Sequence, residues 1–425
     1  MTEGFLHYVW QHRLISQKNL KSDDGQKITI IHPGTLNSGA GPDFFNAQLL
    51  LNGIRWAGNV EIHIHASDWH RHNHHLDAVY DSCILHVVYE NDAQTLRTDG
   101  SQIPTLQIRN RFPDYLWGNY LKLIGTEGWI PCQARIHEVD AHTWKKTFLY
   151  YLHEKLNDRA EQILNSVRLC NHNWDEEFYR QLARNFGFQL NAIPFEMLAR
   201  SLPLICIMKE RDKPDHVEAL LFGQAGMLDE KFSDAYPVRL RNNYAHLQRK
   251  YALRKIPSTA WKYLRLRPVN FPTIRIAQLA SLLMRNDTIL TKITEARSVA
   301  EISVMLHGIA SDYWNTHYQF DKLASYRVKK LGKSSQENLL INTCIPFLYA
   351  WGKYFDNPES CRKAVDFLSE ISPEQNHIIG RWKELGIFAH SAVESQALLR
   401  LKLAHCSGKK CINCIVGNQL INILP

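Results

Sequence analysis

GPDFFNAQLLLNGIRWAGNVEIHIHASDWHRHNHH, residues 41–75, decides how the first third of this chain is read. Phe44 to Leu51 is strand-like, and Asn52-Gly53 is the strongest two-residue hairpin signal. Ile54 to His65 then returns as an antiparallel partner. In that returning strand Val60, Ile62 and Ile64 alternate with Glu61, His63 and His65, so a period of two puts the acid and both histidines on one face. Asp43 opens the preceding strand in the turn Gly41-Pro42-Asp43, and Gly58 allows close approach of a neighbour. His63, His65, His70, His72, His74 and His75 fall within thirteen residues, a density that suits metal or phosphate contact better than a merely solvated helix start.

Outward from this stretch the pattern is α+β. Residues 4–13 fit a short helix, and Lys27 to Ile31 is a strand ended by His32-Pro33-Gly34. Residues 70–80 read as a polar helical segment with Asp77 and Tyr80 one turn apart. Cys83 to Tyr89 is a nearly continuous apolar run, as expected of a strand buried on both faces. Ile103 to Ile108 is a further strand. After Pro131 the spacing turns helical, over 140–168, 175–186, 194–201, 217–231, 239–255, 274–285, 294–311, 338–355, 360–371 and 391–404. The expected organisation is therefore an α+β domain over 1–130, followed by a large mostly α-helical region over 131–425.

The 425 residues leave room for two or three domains, and 45% hydrophobic with 22% charged residues is the balance of a soluble globular protein. The amino-terminal stretch carries Glu3 and lacks a long apolar run, so it does not read as a secretory signal. No segment reaches the roughly 18 apolar residues of a membrane span, so no membrane partner is expected and the expected location is cytoplasmic. The net charge of +8 is unevenly spread, since Tyr236 to Asn286 contains no Asp or Glu. Arg239, Arg241, Arg249, Lys250, Arg254, Lys255, Arg265 and Arg267 lie in that window, interleaved with Tyr244, Tyr251, Trp261 and Tyr263. A polyanion such as DNA or RNA is the natural partner. The alternatives are a solvated helical face or a surface docked on acidic parts of the same chain.

Six of the nine cysteines are scattered and read as small buried apolar residues. Cys406, Cys411 and Cys414 instead form C-x4-C-x2-C, which suits Zn²⁺ or an iron–sulfur cluster. The fourth ligand is open between His405 and a distant cysteine such as Cys132.

The order helix, strand, strand, strand, helix, strand, with Pro42-Asp43 on the second strand and Glu61-Ile62-His63 on the third, resembles the PD-(D/E)XK nuclease superfamily. The resemblance implies a restriction-endonuclease-like fold, a mixed central sheet flanked by helices, in which Asp43 and Glu61 hold Mg²⁺ or Mn²⁺. His63 stands where that superfamily has lysine and would orient or deprotonate the attacking water. Asp68-Trp69-His70-Arg71-His72 resembles the Trp-His-x-His of the very short patch repair endonucleases, which adds His70 and His72, with His65 beside them, to the candidate catalytic set. Some nucleases of this superfamily that are tied to helicases hold an iron–sulfur cluster on one upstream and three carboxy-terminal cysteines. Over nearly its whole length the chain also resembles an uncharacterised bacterial family, domain of unknown function 2851, through GPDFFNAQLL, GNVEIHIHASDWHRH, ILHVVYEND, EALLFGQAGML, RPVNFPTIRIAQLA and CSGKKCINCIVGN. The expected activity is metal-dependent hydrolysis of phosphodiester bonds in nucleic acid. The alternatives are an inactive nuclease-like core that binds nucleic acid, a zinc-dependent hydrolase using the histidine cluster, and an interaction scaffold. The zinc reading is weakened because HIHASDWHRHNHH lacks the HExxH spacing.

Overall fold

The computed structural model describes residues 1–37, 39–286 and 288–424. Its first helix, Glu3–Gln11 (α1), starts where the Thr2 side chain accepts a hydrogen bond from the Phe5 amide. Phe5, Leu6, Val9 and Trp10 make its buried side. Strands Ile28–His32 (β1), Thr35–Leu36 (β2), Phe44–Leu51 (β3) and Ile54–His65 (β4) follow. Asn52 and Gly53 both take positive φ, 49° and 84°, as a tight hairpin with the twist of its strands requires, and β3 pairs antiparallel with β4 from Leu51↔Ile54 upward. Asn46, at φ 57°, sits where the register shifts between Phe44 and Ala47. That bulge buries Phe44 although it is out of step with Ala47, Leu49 and Leu51, and it aims the turn carrying Asp43 at β4.

Between β4 and the next strand the expected helix over 70–80 is broken into three turns. The four-residue helix Asp68–Arg71 (α2) ends before Asn73, which is left-handed at φ 62°, and two 3₁₀ turns follow at His74–Leu76 and Ala78–Ser82. Asp77 caps the second of these by accepting from the Val79 amide. Strand Cys83–Glu90 (β5) then pairs parallel with β4, and Thr105–Gln107 (β6) pairs parallel with β5. The sheet runs β1-β3-β4-β5-β6, with β2 paired to β3 beside that path. Cys83 to Val88 are buried without a break, as the apolar run implied. Helix Asp114–Ile124 (α3) follows the sheet, so the architecture is mixed α+β.

The chain forms two compact units, 1–147 with 401–425, and 148–400. The sequence pattern suggested a division near 130 and kept the carboxy terminus with the helices. The terminal segment instead returns to the first unit. The Asn119 side-chain amide donates to the carbonyls of Ile421 and Ile423, and the Arg135 guanidinium donates to that of Leu420. The second unit is helical, including Trp174–Phe186, Pro214–Gln224, Ala235–Lys250 and Pro272–Arg285, and it carries a small hairpin of His317–Gln319 against Lys322–Leu323. The helix expected over 239–255 stops at Lys250, and residues 251–271 are irregular apart from the 3₁₀ turns Ser258–Ala260, after Pro257, and Pro268–Asn270. Among the described residues no helix is long and apolar enough to cross a membrane.

Candidate functional site

Asp43 and Glu61 are locked together by the backbone of the hairpin that carries them. The Asp43 amide donates to Glu61 Oε2 at 2.9 Å, and the Ile62 amide donates to Asp43 Oδ2 at 3.0 Å. His7 of α1 reaches the same carboxylate, with Nε2 3.0 Å from Asp43 Oδ2. Glu61 lies 5% exposed, and burial raises its pKa, opposed by a hydrogen bond from His74 and reinforced by the charge of Asp43.

Three histidines converge beside Glu61. One ring nitrogen each from His63, His72 and His74 lies within 4.8 Å of the others. His63 Nε2 is 3.2 Å from His72 Nδ1 and 3.7 Å from Glu61 Oε1, and His74 Nε2 is 3.4 Å from the same oxygen. His63 and His74 are buried and His72 is exposed, so the cluster reaches solvent at His72. The break at Asn73 lets His74 turn back to the sheet, where its ring stacks on Tyr80 at 3.8 Å. Trp69 is wholly buried and donates from Nε1 to the Leu96 carbonyl, which anchors α2.

A hydrogen-bond chain behind His63 fixes its tautomer. The Thr105 hydroxyl donates to the Ile103 carbonyl at 3.3 Å, so Thr105 Oγ1 accepts from Thr95 Oγ1 at 3.4 Å. Thr95 in turn accepts from His86 Nδ1 at 3.0 Å. His86 then accepts at Nε2 from His63 Nδ1, 2.9 Å away. The Nε2 lone pair of His63 is left pointing into the histidine and carboxylate cluster. Burial, reinforced by the charges of His74 and His72, pushes the His63 pKa down to about 3, and burial holds His86 well below the usual imidazole range. Both rings are neutral near pH 7, the form in which imidazole ligates a metal.

Of the candidate catalytic residues, the structure brings together Asp43, Glu61, His63 and His72. His65 and His70 are not brought to them. His65 Nδ1 lies 4.0 Å from Asp92, and His70 Nε2 donates to the Gln94 carbonyl at 2.9 Å. His7 and His86 are members that sequence reasoning missed, and His74 was seen only as one of a crowd. A polar residue inside the apolar run CILHVVY was the one available signal for His86. His7 left none.

In the basic window, Arg239 pairs with Asp215, Lys250 with Glu210 and Lys255 with Asp229. Arg241 and Arg249 donate to the carbonyls of Glu230 and Ala245. Arg254, Arg265 and Arg267 are exposed on the irregular stretch after Lys250, and their side chains form no ion pair among the described residues. Cys406, Cys411 and Cys414 line a cavity together with Cys132.

A family model described as "Protein of unknown function (DUF2851)" matches residues 3–377, which leaves the terminal CSGKKCINCIVGN outside the matched stretch. No curated protein and no solved structure matches the chain.

Proposed function

This chain belongs to the DUF2851 family, and from its own residues we propose that it is a metal-dependent nuclease with its metal on His63, His72 and His74 beside Glu61. The observation that carries the reading is the convergence of three imidazole nitrogens within 4.8 Å next to a buried carboxylate. Such a donor set fits Zn²⁺ or Mn²⁺ better than Mg²⁺, which prefers oxygen ligands and keeps its waters. A divalent ion there supplies positive charge to a scissile phosphate and acidifies a water.

The protein groups divide the remaining work. Three protein ligands leave a coordination position for substrate. Glu61, its pKa raised by burial, is the group to take and hold the proton of the attacking water. Asp43, fixed by His7 and the Ile62 amide, holds Glu61 through its own amide and adds a second carboxylate at the mouth of the site. The nucleic-acid part of the reading draws on the PD-(D/E)XK-like element order and on the exposed cations Arg254, Arg265 and Arg267. The histidine trio equally favours a zinc hydrolase of another substrate, so the substrate panel and the metal content are measured together.

The test is cleavage of single- and double-stranded DNA and RNA with Mn²⁺, Zn²⁺ or Mg²⁺, alongside metal analysis of the purified chain. Wild-type cleavage that disappears in Asp43→Ala, Glu61→Ala and His72→Ala is expected. Zinc held by the trio with no nucleic acid cut would transfer the site to another hydrolase. Cleavage that survives both Glu61→Ala and His72→Ala would refute the assignment.

A further inference from the structure

Four cysteines converge well apart in sequence from the histidine cluster. Cys132 precedes the 3₁₀ turn Gln133–Glu138, and Cys406, Cys411 and Cys414 lie on the segment leading into helix Ile415–Asn422. All four line one cavity of about 10 Å³, which also receives His405 and Lys410. That is room for about one water-sized guest. The thiols sense one another's charge, Cys406 with Cys414, Cys132 and Cys411. An isolated buried cysteine such as Cys344 behaves as a small apolar residue, but that role gives no reason to gather four in one void.

The loop is built to hold them there. Lys409 turns left-handed at φ 51°, with its amide donating to the Cys406 carbonyl, and the Cys414 amide donates to that of Cys411. A side chain on Gly417 would meet the Cys411 carbonyl oxygen at 2.1 Å, so the first turn of the last helix sits directly on the loop. Burial pushes the thiols of Cys132, Cys406 and Cys411 up, so a coordinated cation is what would ionise them, and the positive charges of Lys402 and Lys409 act in the same favourable direction on Cys406 and Cys411.

We propose that Cys132, Cys406, Cys411 and Cys414 form a four-thiolate centre for a soft metal, and that this centre clasps residues 401–425 onto the amino-terminal part of the first unit. The metal is a single zinc ion or iron in a sulfide cluster, both of which take four thiolates. Bonds of about 2.3 Å to one zinc would set the sulfurs about 3.8 Å apart. Among the described residues, the His63, His72 and His74 nitrogens are the set found within 4.8 Å of one another, so a single zinc, which matches a void of one water, would draw the thiols inward, whereas a cluster accepts a wider spacing but needs the void to open around its iron and sulfide. The clasp works alongside the hydrogen bonds from Asn119 and Arg135 to the last helix, and the one from Tyr8 to Asn418.

The experiment is metal and acid-labile sulfide analysis of the full chain, with thiol titration and limited proteolysis. One zinc per chain, or iron with matching sulfide, is expected beyond any metal held by the histidine trio, and it is this portion that the variants are read against. It should disappear in Cys132→Ser and in Cys414→Ser, stay in His405→Ala, and stay in His72→Ala, which empties only the histidine site. Loss of metal should expose the last 25 residues to protease. If the serine variants fail to fold, cobalt added to metal-stripped wild type reads the site directly through thiolate-to-cobalt charge-transfer absorption. Absence of zinc and iron together with absence of that absorption would overturn the proposal, as would unchanged metal in both serine variants.

Discussion

His63 Nδ1 and His86 Nε2 stand 2.9 Å apart inside the sheet, and the Ile103 carbonyl at the far end of their hydrogen-bond chain sets the direction in which every proton lies. The buried partner therefore holds the Nε2 lone pair of His63 toward His72 and Glu61, where the proposed metal would sit. His86→Phe would put a larger apolar ring in the same place and remove the acceptor, leaving the Nδ1 proton of His63 without its partner. Metal affinity at the histidine site is expected to fall about 10- to 100-fold, the usual effect of removing such support. His86→Gln, which restores an acceptor, should recover part of it. Chelator competition measures both, and equal affinity in wild type and His86→Phe would show that the chain positions nothing.

The same burial makes stability depend on pH. Unfolded, His63 takes a proton below about 6.5. Folded, it stays neutral until about pH 3. Its folded pKa is lowered, so the unfolded state binds more protons in that window and stability falls as pH drops from about 6.5 toward 3. The decrease is about 1.4 kcal/mol per pH unit from His63. His86 acts in the same direction. Glu61 acts oppositely, because a raised carboxyl pKa favours the folded state as pH falls through it. Metal-stripped protein should show a lower urea midpoint at pH 5 than at pH 7, and His63→Gln should flatten that difference. A midpoint independent of pH would mean that the rings are hydrated in the folded chain.

The strands at 44–51 and 54–65 were legible to the residue because their cause is local. Asn52-Gly53 supplies two positive φ angles, and alternation of Val60, Ile62 and Ile64 with polar partners fixes the faces. The segment 70–80 misled because composition cannot show that Asn73 turns left-handed and Asp77 starts a new cap. Asp43, Glu61, His63 and His72 could be nominated from one stretch of 35 residues, GPDF to NHH. His7 and His86 could not, since their roles come from partners 36 and 23 residues away that only the packed sheet brings near. The meeting of Cys132 with the three terminal cysteines in one cavity was hidden for the same reason, and the return of the terminal segment to the first unit left no periodic trace at all.

Gly58 of β4 lies tight against Ser82 and Ile84 at the start of β5. A Cβ there would stand 2.4 Å from Ile84 Cγ2 and 2.9 Å from the Ser82 carbonyl oxygen, and the backbone oxygen has little freedom to withdraw. Gly58→Ala is expected to cost about 1–3 kcal/mol, the range for overpacking a tight site. Because β4 carries Glu61 and His63 while β5 carries His86, metal affinity should fall with stability. Urea denaturation read beside metal binding checks this. A midpoint like that of wild type would show that the strands separate freely at this point.

The basic window divides into cations that are already engaged and cations that are not. Lys250 Nζ lies 2.5 Å from Glu210, which is only 3% exposed. Burial there opposes ionisation, yet hydrogen bonds from Lys250, Tyr251 and His216 outweigh it and hold the pKa at about 2. Lys250 is thus committed to a buried acid, as Arg239 is to Asp215 on the surface. Arg254, Arg265 and Arg267 are exposed after the helix has ended, and under the proposed function they are the cations left to meet phosphates. Each phosphate deprived of its arginine should lower the salt dependence of binding by about 0.9 in log–log slope on duplex DNA and about 0.7 on single strands. Replacing all three by alanine should therefore reduce the slope by about 2 to 3 with the fold intact. Lys250→Ala should instead reduce stability and leave the slope nearly unchanged. Fluorescence anisotropy at several salt concentrations separates the two. A slope that is the same in wild type and the triple variant would remove this stretch from the nucleic-acid surface.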